Sequence, residues 1–273
     1  MPSPAPVPGD DLAALERYQI PNLRNACRIQ KLLATRTDGF TVTEISRELK
    51  VPYTTTLRIM ATLQLEGFVR KDGGRFELGP VVIHIGNASL AGTEIRDLAL
   101  PVLEALTART EETSHLAIPC EGRPLIVAVQ DSPHPLRAAS RPGFLAEPHC
   151  SSTGKVLLAF HCPERADEIL GRGPLHRRTA HTLTKPAEVK RDLELTRRRG
   201  YSLDDEEYHP GVRCLAAPVV GSDGKAIAAI GITAATVRFT KERIPEIAEI
   251  VRQAAQELSG SLGHHHSSLR VRN

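Results

Sequence analysis

A length of 273 residues points to about two domains, at roughly 150 residues each. Apolar side chains make up 41%, about 48% once the 20 glycines are added, an ordinary globular composition that excludes wholesale disorder. The net charge of +3 is unevenly placed: Leu23 to Pro80 holds ten Lys/Arg against six Asp/Glu, so a basic N-terminal unit precedes a near-neutral body, which suits a polyanion contact at one end.

Met1 to Gly9 carries four prolines, and residues 1–20 read as a disordered or partly helical arm. This stretch has no basic start and leads into Asp10 and Asp11, so no signal peptide is expected. Leu23, Ala26, Ile29, Leu32 and Leu33 recur at helical spacing. The turn cluster Thr37-Asp38-Gly39 ends that helix. Thr41 or Thr43 caps a second helix whose Ile45 and Leu49 face inward. Val51-Pro52 breaks it. A third helix begins at or just after Pro52 with Leu57, Met60 and Leu63 on its inner face, and Gly67 closes it. Phe68 to Arg70 and Arg75 to Leu78 flank Lys71-Asp72-Gly73-Gly74, a hairpin signal. Residues 21–80 therefore read as one small domain. Pro80 to Leu90 is short and apolar, a linker helix placed at 81–93.

Glu94 to Thr110 is helical with Pro101 inside it. Thr113 to Pro119 and Pro124 to Val129 flank a hairpin turn at Cys120 to Arg123, and Leu136 to Ser140 reads as a further strand. His149 to Phe160 is a loop entering a helix. Pro163 to Leu170 and Pro186 to Arg199 are helices with proline near the start. Leu215 to Val220 and Ala226 to Thr233 flank Gly221 to Gly224, the clearest hairpin of the chain. The apolar run Ala226 to Val237 falls short of the ~20 residues a membrane span needs. Thr240 caps a last helix to about Ser261, and 263–273, with His264 to His266, reads as a flexible tail. Helices with hairpins over 94–262 predict an α+β domain with a largely antiparallel sheet. The five cysteines are scattered and form no CxxC, so the expectation is a reduced, cytoplasmic protein without metal or cofactor.

The element order of 21–80 is that of a winged helix-turn-helix, whose second helix sets its N-terminal residues against base edges. Tyr53, Thr54, Thr55, Thr56 and Arg58 are the candidate contacts there. Short hydroxyls bond phosphates or bases without filling the groove, and a threonine methyl meets the thymine methyl. Arg70, Lys71 and Arg75 make the wing basic, and its Gly73-Gly74 tip allows close approach to a sugar-phosphate backbone. Double-stranded DNA is the implied partner.

Three blocks carry a resemblance: Val42 to Leu78, His149 to Leu158 (HCSSTGKVLL), and Arg199 to Pro218 (RGYSLDDEEYHPGVRCLAAP) with Ala228 to Thr233. From about Leu23 to Leu262 the chain resembles the IclR family of bacterial transcription factors. The resemblance implies a winged helix-turn-helix, a linker helix, a GAF-like effector-binding domain, and assembly as a homodimer or dimer of dimers. It also implies a small carboxylate or aromatic-acid effector, held by Ser152, Thr153, Asp204, Cys214, Gly231 and Thr233. Relatives that bind small 2-oxo acids carry Gly-Ala where this chain has Ser152-Thr153, and Ser where it has Gly231, which argues against a glyoxylate- or pyruvate-like ligand. Backbone N–H groups at the start of the helix around Lys155 suit an anion.

Two rival readings stand beside this one. Ser152-Thr153-Gly154-Lys155 matches the S-x-x-K of Ser/Lys-type hydrolases, but the S-D-N and K-T-G partners are missing. His115, His149, Cys150, His209 and Cys214 offer metal-ligating side chains at spacings that match no zinc motif.

Overall fold

The computed structural model describes residues 18–91, 94–171, 173–221 and 223–269. The chain divides into two compact units, Met1–Gly92 and Thr93–Asn273. Of the expected arm, residues 1–17 lie outside the described residues.

In the first unit, Pro21 opens helix α1 (Pro21–Leu33) at the position where its missing N–H costs nothing. Thr41, not Thr43, caps α2 (Val42–Leu49): its hydroxyl accepts from the Glu44 N–H while the Glu44 carboxylate accepts from the Thr41 N–H, a capping box. Helix α3 (Tyr53–Leu65) starts directly after Pro52. Strands β1 (Val69–Asp72) and β2 (Arg75–Leu78) form the wing, and both tip glycines take the positive φ that a two-residue turn requires. Helix α4 (Pro80–Ala91) follows. Ile29, Leu33, Phe40, Ile45, Ile59, Met60, Leu63 and Phe76 close one core. Two expected core positions are corrected. Leu57 and Leu23 are exposed, because the inner face of α3 is Thr56, Ile59, Met60 and Leu63, and α1 buries Ile29 and Leu33 instead.

The second unit opens with α5 (Glu94–Thr110), which continues through Pro101. Among the described residues five strands form one antiparallel sheet: β3 (Thr113–Cys120), β4 (Arg123–Gln130), β5 (Ser202–Asp205), β6 (Val212–Val220) and β7 (Ala226–Ala235), in the order β4-β3-β7-β6-β5. Strand β5, unread in the sequence, is the short edge next to β6. Leu136 to Ser140 is not a strand; the segment is irregular. Helices α6 (Ser152–Phe160), α7 (Ala166–Gly171) and α8 (Pro186–Arg199) follow it in the chain, and α9 (Ile244–Leu269) runs past the expected end at Ser261.

Alternation along the strands sorts the sheet into two faces. Ser114 points to α5, where its hydroxyl bonds the Leu103 carbonyl. Its neighbours Thr113 and His115 point the other way. They share that face with Thr233 and Gly231, their register partners on β7, with Cys214 and Ala216 beyond these on β6, and with Ala229, the partner of Ala117. Helix α6 covers part of it, Val156 and Leu157 packing on Ala216 and Ala229.

Candidate functional site

The exposed side of α3 offers Tyr53, Thr54 and Arg58, with Thr55 half-buried beside Asn22 and Leu23 of α1. Thr56 is not on that surface: it is fully buried, and its hydroxyl donates to the Pro52 and Val51 carbonyls at 3.1 and 3.4 Å. It holds the first turn of the helix together. In the wing, Lys71 is exposed and Arg70 stands out beside Glu77 at 2.7 Å. Arg75 is engaged within its own unit. Its guanidinium donates to the Asp38 carbonyl (2.8 Å), the Gly39 carbonyl (3.1 Å) and the Glu44 carboxylate (3.1 Å), tying the wing to the start of α2. The Glu44 carboxyl is held down to about 2, first by the Thr41 N–H and hydroxyl and then by Arg75.

The second unit holds a cavity of about 270 Å³ on the α6 face of its sheet. Ser152, Thr153, Asp204, Cys214 and Thr233 all line it. Each comes from a different local cause. Ser151 caps α6, its hydroxyl accepting from the Gly154 N–H, which sets Ser152 and Thr153 at the helix start. Ser202 donates to the Ser152 carbonyl at 2.6 Å and so fastens β5 to that start. Two residues on, Asp204 is buried on the same side of β5, and its Oδ1 accepts from the Glu207 and Tyr208 N–H groups at 2.7 and 3.1 Å. Cys214, its register partner, donates from Sγ to Thr233 Oγ1 at 3.4 Å.

Gly231 does not line the cavity. A Cβ there would meet the Leu215 carbonyl oxygen at 2.4 Å and the Ala216 Cβ at 2.8 Å, so glycine serves close packing of the sheet. Further lining residues escaped the sequence reading: Ser140, Arg141 and Phe144 from the segment after β4, Tyr208 and His209 after β5, and His115 from β3. Of these, His115 and His209 carried a signal, and both were weighed as metal ligands. Among the described residues no group of three or more His, Cys, Asp or Glu is placed to hold a metal ion.

Burial sets the charge states. It pushes Asp204 up to about 6 against the pull of Lys155, lowers His115 to about 4, and raises the Cys214 thiol well above its usual range. At neutral pH the imidazole and the thiol are neutral.

Behind the cavity, Lys155 is completely buried. Its ammonium donates to Asp192 of α8 (2.7 Å), the Leu203 carbonyl of β5 (2.6 Å) and Glu207 (2.5 Å). Burial opposes the ammonium, but Glu207 and Asp192 outweigh it and hold its pKa above the ordinary value. This lysine is a structural cation joining α6, α8 and β5, with no bond to Ser152. The hydrolase reading loses its base here.

Residues 23–73 match the IclR helix-turn-helix domain, and residues 87–260 match the C-terminal domain of bacterial transcriptional regulator IclR. The chain belongs to the IclR family. The Escherichia coli transcriptional repressor IclR is 31% identical over 249 residues, 90% of this chain and 91% of that one. The HTH-type transcriptional regulator BhcR of Paracoccus denitrificans is 34% identical over 250 residues, 91% and 89% of the two chains. The crystal structure of an IclR homologue complexed with 4-hydroxybenzoate, from Microbacterium hydrocarbonoxydans, superposes with a TM-score of 0.70 at 26% identity, covering 88% of this chain and 98% of that one. This IclR-family chain is a DNA-binding transcriptional regulator with an effector-binding C-terminal domain, and it is not an enzyme. Among the described residues no helix is long and apolar enough to cross a membrane.

Proposed function

We propose that this regulator reads duplex DNA through Tyr53, Thr54, Thr55 and Arg58 of α3 and Arg70 and Lys71 of the wing, and that a small organic acid in the sheet cavity sets its grip on that DNA. The cavity carries the reading. It gathers the hydroxyls of Ser152 and Thr153, a helix N-terminus suited to an anion, and an exposed guanidinium from Arg141. Its volume lies just under the range of clefts that hold drug-sized molecules, so it suits a small ligand. The ligand in the solved relative, 4-hydroxybenzoate, is an acid of that size. Such a regulator acts in the bacterial cytoplasm as a homodimer or dimer of dimers, since one winged head covers one half-site. The acid then changes DNA affinity by binding two arrangements of the regulator unequally.

The test uses the full chain, a DNA duplex that it selects from a random-sequence pool, and a panel of monocarboxylic acids that includes 4-hydroxybenzoate. At least one acid shifts the DNA affinity. Thr153→Val raises the acid concentration needed by about fivefold or more, as expected for one lost hydrogen bond, and leaves acid-free DNA binding as it was. No response to any acid, or an unchanged titration in the variant, contradicts the reading.

A further inference from the structure

The contacts assigned to α3 leave an exposed leucine on its outer side without a role. The inner face of this helix is Thr56, Ile59, Met60 and Leu63. At about 3.6 residues per turn the opposite side is Thr54, Leu57, Arg58 and Ala61, all exposed. Leu57 is 46% exposed, and Tyr53, one turn before it, is 51% exposed. Leu57 and Ala61, one turn apart, make an apolar strip beside the polar Thr54 and Arg58. Leu65 is exposed as well, but it closes the helix two turns further on. Single exposed leucines are common and by themselves mean little. This one stands in the N-terminal half of the helix whose first residues go to base edges in a helix-turn-helix.

Charge decides what covers the strip. Tyr53–Leu65 contains no acidic residue, so nothing on this helix repels a phosphate. Arg58 is exposed on the same side, and the wing of the same unit adds the exposed Lys71. A cationic surface with an apolar strip inside it suits a polyanion that has apolar groups of its own. Duplex DNA is such a polyanion. In its major groove the base edges present donors and acceptors, and thymine alone adds a C5-methyl. A leucine side chain neither donates nor accepts. Laid on the edge of guanine, cytosine or adenine, it strips water from polar groups and puts nothing in its place. Laid on a thymine methyl, it buries apolar surface without that penalty.

We propose that Leu57 is a specificity-determining residue of the head: its side chain packs on the C5-methyl of a thymine in the major groove, and each half-site carries a thymine at that step. This rests on the assignment of α3 as the reading helix and adds the base that its apolar strip selects. Thr54 and Arg58 supply hydrogen bonds and charge, and Leu57 supplies the contact that only a methyl-bearing base can return.

The experiment uses the full chain and the duplex that it selects from a random-sequence pool. Each thymine in turn is replaced by uracil, which keeps the base pair and every hydrogen-bonding group and removes only the methyl. Affinity is read by fluorescence anisotropy. At one thymine in each half-site the wild type loses about fourfold, the worth of one buried methyl-sized group. Leu57→Ala binds the thymine and uracil forms of that duplex equally, while Leu57→Met, still apolar and of similar length, keeps the difference. The position lies outside the core, so both variants melt with the wild type. A wild type indifferent to uracil at every position overturns the proposal. So does a sensitive thymine that stays equally sensitive in Leu57→Ala, as a threonine methyl contact would leave it. A changed oligomeric state in Leu57→Ala with the uracil pattern intact also overturns it, since a second copy of the chain would then cover the leucine. In each of these cases, specific affinity lost on changing Thr54 and Arg58 together to alanine leaves α3 standing as the reading helix. Undiminished affinity in that double variant removes both.

Discussion

The N-terminal head and the C-terminal body employ the same pairing of basic and acidic side chains in opposite settings. In the head, Arg75 and Glu44 meet at 3.1 Å with side chains 36% and 28% exposed. In the body, Lys155 is 0% exposed and meets Asp192 and Glu207, which are 19% and 10% exposed. A pair in contact with water is screened and contributes little. A buried ion without its counterion is strongly unfavourable. The head thus uses ion pairs to tie the wing down while Arg58 and Lys71 stay exposed. The body uses one to fix the wall of a cavity, where the Glu207 N–H donates to Asp204 and the Glu207 carboxylate accepts from Lys155.

The largest effect expected from this contrast comes from Lys155→Met. It leaves two carboxylates without their cation and destabilises the body by about 3–5 kcal/mol, measured by chemical denaturation. Adding Glu207→Leu recovers part of that loss, because Asp192 then still faces Arg199 at 3.6 Å. A loss below about 1 kcal/mol in the single variant would break the comparison, since a buried pair would then weigh no more than an exposed one.

A smaller effect is expected from Arg75→Ala. The head melts a few degrees lower, while the dependence of DNA binding on salt keeps its slope, because this guanidinium is committed to Asp38, Gly39 and Glu44. A shallower slope would instead place Arg75 on a phosphate. The same corner has a pH signature. The Glu44 carboxyl lies at about 2, below its ordinary 4.5, so its contribution is complete above pH 4.5 and is lost as the pH falls toward 2. Glu44→Gln removes that acid-side component from the head's melting curve.

The head was largely legible in the sequence because its signals are local. A capping residue, Pro52 and a two-glycine turn each act within a few residues of where they stand. The misreadings there, Thr56 and Leu57, concern which way a side chain turns, and the same holds for the inward bonds of Arg75. A threonine in a first helical turn is free to bond backward to the carbonyl four residues earlier, and an arginine on a wing is long enough to reach back to α2. The cavity is assembled from β3, the segment after β4, α6, β5, β6 and β7, far apart in the chain. Ser152, Thr153, Asp204, Cys214 and Thr233 were named through the family resemblance, not through any pattern of their own. His115 and His209 were seen, but as candidate metal ligands, and both line the cavity. Gly231 was placed in the pocket by the same resemblance, and packing against Leu215 and Ala216 takes it out.

The most direct test of the account joins both units in one measurement. Thr54→Ala with Arg58→Ala changes only exposed positions of α3. The double variant loses specific affinity for the selected duplex by a hundredfold or more, a loss comparable to that of about two base contacts, while it binds the effector acid as the wild type does. Undiminished affinity for the selected DNA would contradict the assignment of α3 as the reading helix.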